Sequence, residues 1–378
     1  MKIYQIAYVV VILSCGIFIN KSSSEQITIS DIPYSNWIFY RDVSSHALVS
    51  VDTTRQNLYL HRFDSTVLHI PSSENHVYMM TQLCENRGLF LAGKFQDKSN
   101  YHYSLYDFNG NLLHPQFEVP YLLNLSQNGE YYLTRFDVGY ATNRPALISL
   151  RGETMFEFVP EYETGWDLKE IDSTTVLFRD GGKIYIYNVS DFSLVDVIDT
   201  GVDNLEYVPS KSIVTGNRYY GFRTYAEIII VDLHSGNVKA KLPKSMQNKM
   251  YRNPGILIDA EHQRLLLFYS SISSSMVEIY SFEKSKLKLI YQFEILIQDI
   301  TGFSEELSFV HKGFYILNFY RSRNPDVYRS MIITLLQDEQ TPELLPGMLF
   351  PKPDGSGELM QISLVNHTLK IMDFIDIE

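Results

Sequence analysis

Along most of the chain, apolar side chains recur at every second position over short runs, and each run ends in a cluster of Asp, Asn, Ser or Gly. Alternation of that kind, bounded by turn formers, predicts β-strands joined as hairpins. The hairpin recurs. Residues 103–113, 184–195, 228–238 and 277–287 share one layout: a strand, an Asp, Asn or Ser at its exit, a few polar residues, then a second strand. Fainter copies lie at 57–70, 146–158, 331–345 and 368–375. With first strands starting near 57, 103, 145, 184, 228, 276, 330 and 368, successive offsets are 46, 42, 39, 44, 48, 54 and 38 residues.

Those offsets sit close to the roughly 40–45 residues of one blade of a β-propeller. Between hairpins there is room for two more strands, and the sequence supplies them at 36–41 with 47–51, 77–82 with 89–95, and 256–259 with 264–269. The expected fold is therefore all-β, with eight four-stranded blades. The last copy, 368–375, has no outer strand after it, whereas residues 26–30 form a short alternating strand with no place in the first blade. Pairing the two would close a ring and remove exposed sheet edges. Seven blades is the alternative, because the 54-residue interval before Met331 and the tail after Pro346 can be divided differently.

Composition agrees with strand: 27 Tyr and 22 Phe accompany abundant Ile, Val and Thr, the types that suit a pleated, half-buried surface. Thirty-two Lys and Arg against 44 Asp and Glu leave a formal charge of −12, which repels phosphate backbones and argues against nucleic-acid partners. The N-terminus reads as an export signal: Lys2, an apolar run over residues 3–19, then a polar stretch with Ser22 and Ser24 placed for cleavage. Residues 1–24 are thus expected to be a signal and 25–378 a single domain outside the cytoplasm. Two other readings stay open: an uncleaved anchor, and lipidation at Cys15, since residues 12–15 (Ile-Leu-Ser-Cys) resemble a lipobox. Cys84 is the only other cysteine, so no intrachain disulfide framework can staple the fold.

At the hairpins the chain resembles the broad WD40-like and YVTN-like group of β-propellers, in the stretches Tyr106-Asp107-Phe108-Asn109-Gly110 and Val231-Asp232-Leu233-His234-Ser235-Gly236. The resemblance implies a fold and no activity. Departures are plain. Trp166-Asp167 is the sole Trp-Asp pair and stands ahead of an expected strand; Gly181-Gly182 occurs once, where kelch blades would repeat it; two Trp cannot form a one-per-blade tryptophan belt.

No zinc-protease, Cys-x-x-Cys, nucleophile-elbow or phosphate-loop motif is present, so no cofactor is expected. Asp107, Asn109 and Asn111 alternate as calcium ligands would, but lack a closing carboxylate and read as a turn. His61 and His69 fall on neighbouring strands of one hairpin. The loops joining second to third strands are long and rich in Tyr and Arg at 137–144 and 320–329, and residues 241–253 form a basic cluster. Tyr and Arg dominate interface hot spots. Tyr140, Arg144, Tyr251, Arg252, Arg321, Arg323 and Tyr328 are therefore the expected binding residues. The functional expectation is a non-catalytic module recognising a protein, peptide or glycan on one loop face. The alternative is a metal-assisted hydrolase with its site in the central channel.

Overall fold

The structure is a computed structural model. It describes residues 27–28, 47–51, 56–62, 67–71, 77–84, 87–95, 101–120, 122–135, 144–161, 166–202, 212–224, 227–243, 254–270, 275–283, 287–295, 302–303, 308–320, 329–334, 343–351, 358–365 and 368–374. Among them no α-helix occurs, and the strands form eight separate antiparallel sheets.

In chain order these are sheet 1 (residues 47–71, three strands), sheet 2 (77–119), sheet 3 (122–157), sheet 4 (166–199), sheet 5 (213–243), sheet 6 (255–295), sheet 7 (302–346) and sheet 8 (348–374). Sheets 2 to 6 each have four strands laid side by side in sequence order. Sheet 8 takes its fourth strand from the other end of the chain: Ile27–Thr28 pairs with Thr368–Phe374, Ile27 opposite Ile371 and Thr28 opposite Lys370. The expected pairing of the two ends is present. All eight hairpin positions carry strands, although the second strand of 103–113 comes later, at Phe117–Val119, with Leu112 only bridging Tyr106; the inner pairs Val77–Cys84 with Leu89–Phe95 and Gly255–Asp259 with Arg264–Ser270 are formed. The expected strand at 36–41 lies outside the described residues.

The 54-residue interval has a local cause. In sheet 7 two short strands, Gly302–Phe303 and Phe309–His311, share the place of one and both pair with Phe314–Tyr320. The tail after Pro346 starts a further sheet at once, with only Gly347, at φ 81°, between Glu343–Pro346 and Met348–Pro351.

Adjacent residues on a strand face opposite ways, so a sheet covered on both sides must be apolar at consecutive positions. The second strands behave in this manner. Tyr132 joins a core shared with sheet 2, while Tyr131 joins one shared with sheet 4. Tyr220 packs with sheet 4 and Tyr219 with sheet 6; Leu267 packs with sheet 5 and Leu266 with sheet 7. A hydrophobic cluster of this sort joins each described sheet to the next, from Leu58 and Phe90 between sheets 1 and 2 to Ile316 and Leu349 between sheets 7 and 8. Each such side chain contributes about 1.5–3 kcal/mol by leaving water. The stack is held by these seams, with no disulfide; Cys84 is free and buried.

Hairpin turns follow the Asp and Asn chemistry read from the sequence. Asp107 Oδ1 accepts the backbone N–H groups of Asn109 (2.9 Å) and Asn111 (2.8 Å), and Gly110 supplies φ 85°. Asp232 does the same for His234 at 3.1 Å, and Asn188 for Ser190 at 2.8 Å. Gly181-Gly182 also has a local reason: Gly181 has φ 56°, and a Cβ on Gly182 would collide with the Val202 carbonyl.

Candidate functional site

In a sheet whose four strands run antiparallel in order, the link from strand two to three and the exit from strand four leave at the same end. Residues 136–143 link Tyr131–Arg135 to Ala146–Ser149, and residues 321–328 link Phe314–Tyr320 to Arg329–Thr334. Residues 244–253 lead from the fourth strand of sheet 5, Asn237–Pro243, to the first of sheet 6, Gly255–Asp259. All three segments thus belong to that same kind of end in their own sheets.

Of the expected binding residues, Arg144 alone is described. Its side chain is exposed, and Nη1 donates to Glu157 Oε1 at 2.8 Å across the sheet 3 hairpin. An exposed pair of this type contributes little to stability and leaves the guanidinium accessible. Tyr140, Tyr251, Arg252, Arg321, Arg323 and Tyr328 lie outside the described residues, as does Cys15.

Just inside the same end of sheet 4 sits a buried polar network that the sequence pattern does not reveal. Asp167 and Arg179 are cross-strand neighbours in sheet 4. Tyr220 reaches over from sheet 5, its hydroxyl donating to Asp167 Oδ2 at 2.6 Å and accepting from Arg179 Nε at 2.9 Å. Ser212 Oγ donates to the same Asp167 oxygen. The Arg179 guanidinium, 1 % exposed, donates to the Gly181 carbonyl at 3.0 Å and lies 4.7 Å from the centroid of the Phe222 ring. Burial opposes ionisation of Asp167. The charges of Lys169 and Arg179, with the hydrogen bonds from Ser212 and Tyr220, outweigh it and hold the carboxyl below the usual carboxylate range. A charged group so enclosed and paired fixes sheet against sheet. Trp166-Asp167 therefore belongs to the first strand of sheet 4, with Trp166 1 % exposed in the core.

At the opposite end a second network crosses sheets 2, 3 and 4. The Cys84 thiol donates to the Gln127 carbonyl at 3.1 Å, and the Gln127 N–H donates to Glu170 Oε2 at 2.7 Å. Tyr131 Oη donates to the other Glu170 oxygen at 3.4 Å. Burial pushes the Glu170 carboxyl up to about 7; the bonds from Gln127 and Tyr131 lower it and the neighbouring Asp172 charge raises it, each by less. Burial likewise raises the Cys84 thiol, which disfavours the reactive thiolate.

No known protein family and no curated protein matches the chain. Chemistry therefore has to be read from the residues. Among the described residues no group of three or more His, Cys, Asp or Glu is placed to hold a metal ion, and no helix is long and apolar enough to cross a membrane. Asp107 is engaged by its own turn, where burial would raise its carboxyl but the hydrogen bonds from Asn111 and Asn109 outweigh that effect and keep it low. His69 Nε2 lies 2.8 Å from Asn57 Oδ1, and its ring stacks on Tyr59 at 4.8 Å.

Both networks left one trace in the sequence, the interval. Gln82 with Leu125, Gln127 with Glu170, and Arg87 with Glu130 bond across 43 residues, and Asp167 with Ser212 across 45. Polar residues one repeat apart were the signal that could have found them.

Proposed function

We propose that the eight sheets are blades of a β-propeller and that the protein is an exported, non-catalytic module binding a protein, peptide or glycan through one face. One observation carries the reading. Consecutive sheets share cores along the chain, and the last sheet is completed by Ile27–Thr28 from its beginning. Stacked in one sense around an axis, the sheets would bring 136–143, 244–253 and 321–328 to a common rim, with Arg144 at the foot of the first. Rigid aromatic bodies and planar cations gain much contact for little lost rotamer freedom. Export is supported by the leader pattern of residues 1–24.

The test is a protein with Tyr140, Arg144, Arg321, Arg323 and Tyr328 all replaced by Ala, compared with wild type on arrays of peptides and glycans. The expected result is loss of the wild-type ligands with an unchanged melting temperature. Equal retention by both proteins rejects this face. Stoichiometric calcium or zinc in the purified protein would favour the hydrolase instead.

A further inference from the structure

Sheet 4 ends in the strand Leu194–Asp199, whose outer edge has no strand partner among the described residues. Such an edge is a row of N–H and C=O groups ready to pair, and proteins generally shorten it, cover it or fill it with charge. Other outer strands follow that rule: Phe117–Val119 has three residues, Thr154–Glu157 has four, Asn237–Pro243 turns Ala240 and Leu242 inward, and Lys288–Ile295 exposes Lys288, Gln292 and Glu294 beside Leu289 and Ile290. Leu194–Asp199 differs. It has six residues; Leu194, Val195 and Val197 are 51 %, 59 % and 45 % exposed, and its exposed charges are Asp199 and Asp196, whose carboxylate accepts the Val197 N–H at 2.8 Å.

The two faces of this strand differ in character. Towards sheet 3, Leu194 lies opposite Tyr187 and Val197 opposite Tyr185, so two exposed aliphatic residues extend a half-buried aromatic surface. Its floor is Phe156, stacked on Phe192 at 5.0 Å and 5.7 Å from Tyr187. Towards sheet 5, the exposed position is Asp196, opposite Ile186. Val195 is the extra residue where the register shifts between Ile186 and Tyr187.

We propose that this edge receives an extended segment of a partner protein as an added strand, with aliphatic residues at alternate positions and Lys or Arg between them. Period-two geometry dictates the complement. Apolar side chains of the added strand fall on the Tyr185, Tyr187, Leu194 and Val197 side, and its cations fall on the Asp196 side. The site is on the flank of sheets 3 and 4, away from the loop face, and stands whether or not that face binds anything.

The experiment uses the full chain and fluorescein-labelled octapeptides read by anisotropy: alternating Val-Lys, alternating Val-Glu, and a block peptide in which all the valines precede all the lysines, of the same composition as the first. The first should bind at least tenfold more tightly than the other two. Asp196→Lys should reverse the preference between Lys and Glu peptides, and Val197→Asp should abolish binding; both positions are exposed, so the fold is retained. Equal binding of block and alternating peptides, or Val-Lys binding indifferent to both substitutions, overturns the proposal. So does a sedimentation result in which the protein self-associates and Val197→Asp makes it monomeric, which would give the edge to a second copy.

Discussion

Replacing Glu170 by Gln should make the protein progressively more stable than wild type as pH rises above about 4.5, with the full gain above about 7. The carboxyl sits between sheets 3 and 4 and is moved by burial from 4.5 to about 7. Such a displacement corresponds to about 3 kcal/mol against the ionised form, and solvent at the partly open end of the seam reduces this to about 2 kcal/mol. The folded protein keeps the proton up to about pH 7, whereas the unfolded chain releases it near 4.5. In that window the folded state binds more protons, so this group's contribution is whole below about pH 4.5, declines as pH rises and is lost above about 7. Gln retains an oxygen to accept the Gln127 N–H and has no charge to bury. Urea titrations of wild type and Glu170→Gln should therefore coincide at about pH 4.5, diverge through about pH 6, and differ by about 2 kcal/mol at about pH 8 in favour of the variant. Parallel stability curves for wild type and Glu170→Gln across that pH range would refute the reasoning, because the carboxyl would then ionise as freely folded as unfolded.

Arg179→Met removes one partner of a buried charged network and should lower stability by about 3–5 kcal/mol, with Asp167→Asn in the same chain recovering part of it; a double-mutant cycle in urea reads the coupling. Deleting residues 1–30 strips the fourth strand from sheet 8, and a fall in melting temperature together with faster aggregation, followed by light scattering, is the expected outcome. Gly110→Ala, at φ 85° and against the Leu68 side chain of sheet 1, should cost about 1–2 kcal/mol by thermal unfolding. Excess EDTA should leave the melting temperature unchanged if Asp107 serves only its turn.

The sheets were legible because their signal is local. Alternation in 184–195 and the Asp turn of 228–238 each need only a dozen neighbouring residues to be recognised, and the pairing follows directly: Ile184 meets Ile198 and Val231 meets Val238. The split strand of sheet 7 was not legible, since Gly302–Phe303 and Phe309–His311 are too short to show a period. Nor were the polar seams. Arg179 looks like a strand-end charge until Tyr220, 41 residues on, is brought against it. The binding expectation rested on loop composition, which says what a surface could grip without saying how it is arranged.

The union of Ile27–Thr28 with Thr368–Phe374 also bears on biosynthesis. A ribosome makes the first of these segments almost a whole chain length before the second, so the earlier one must wait, unsatisfied, while every intervening hairpin can already form. Final maturation is then a post-translational event, and a tag fused close to either extremity competes for the last step.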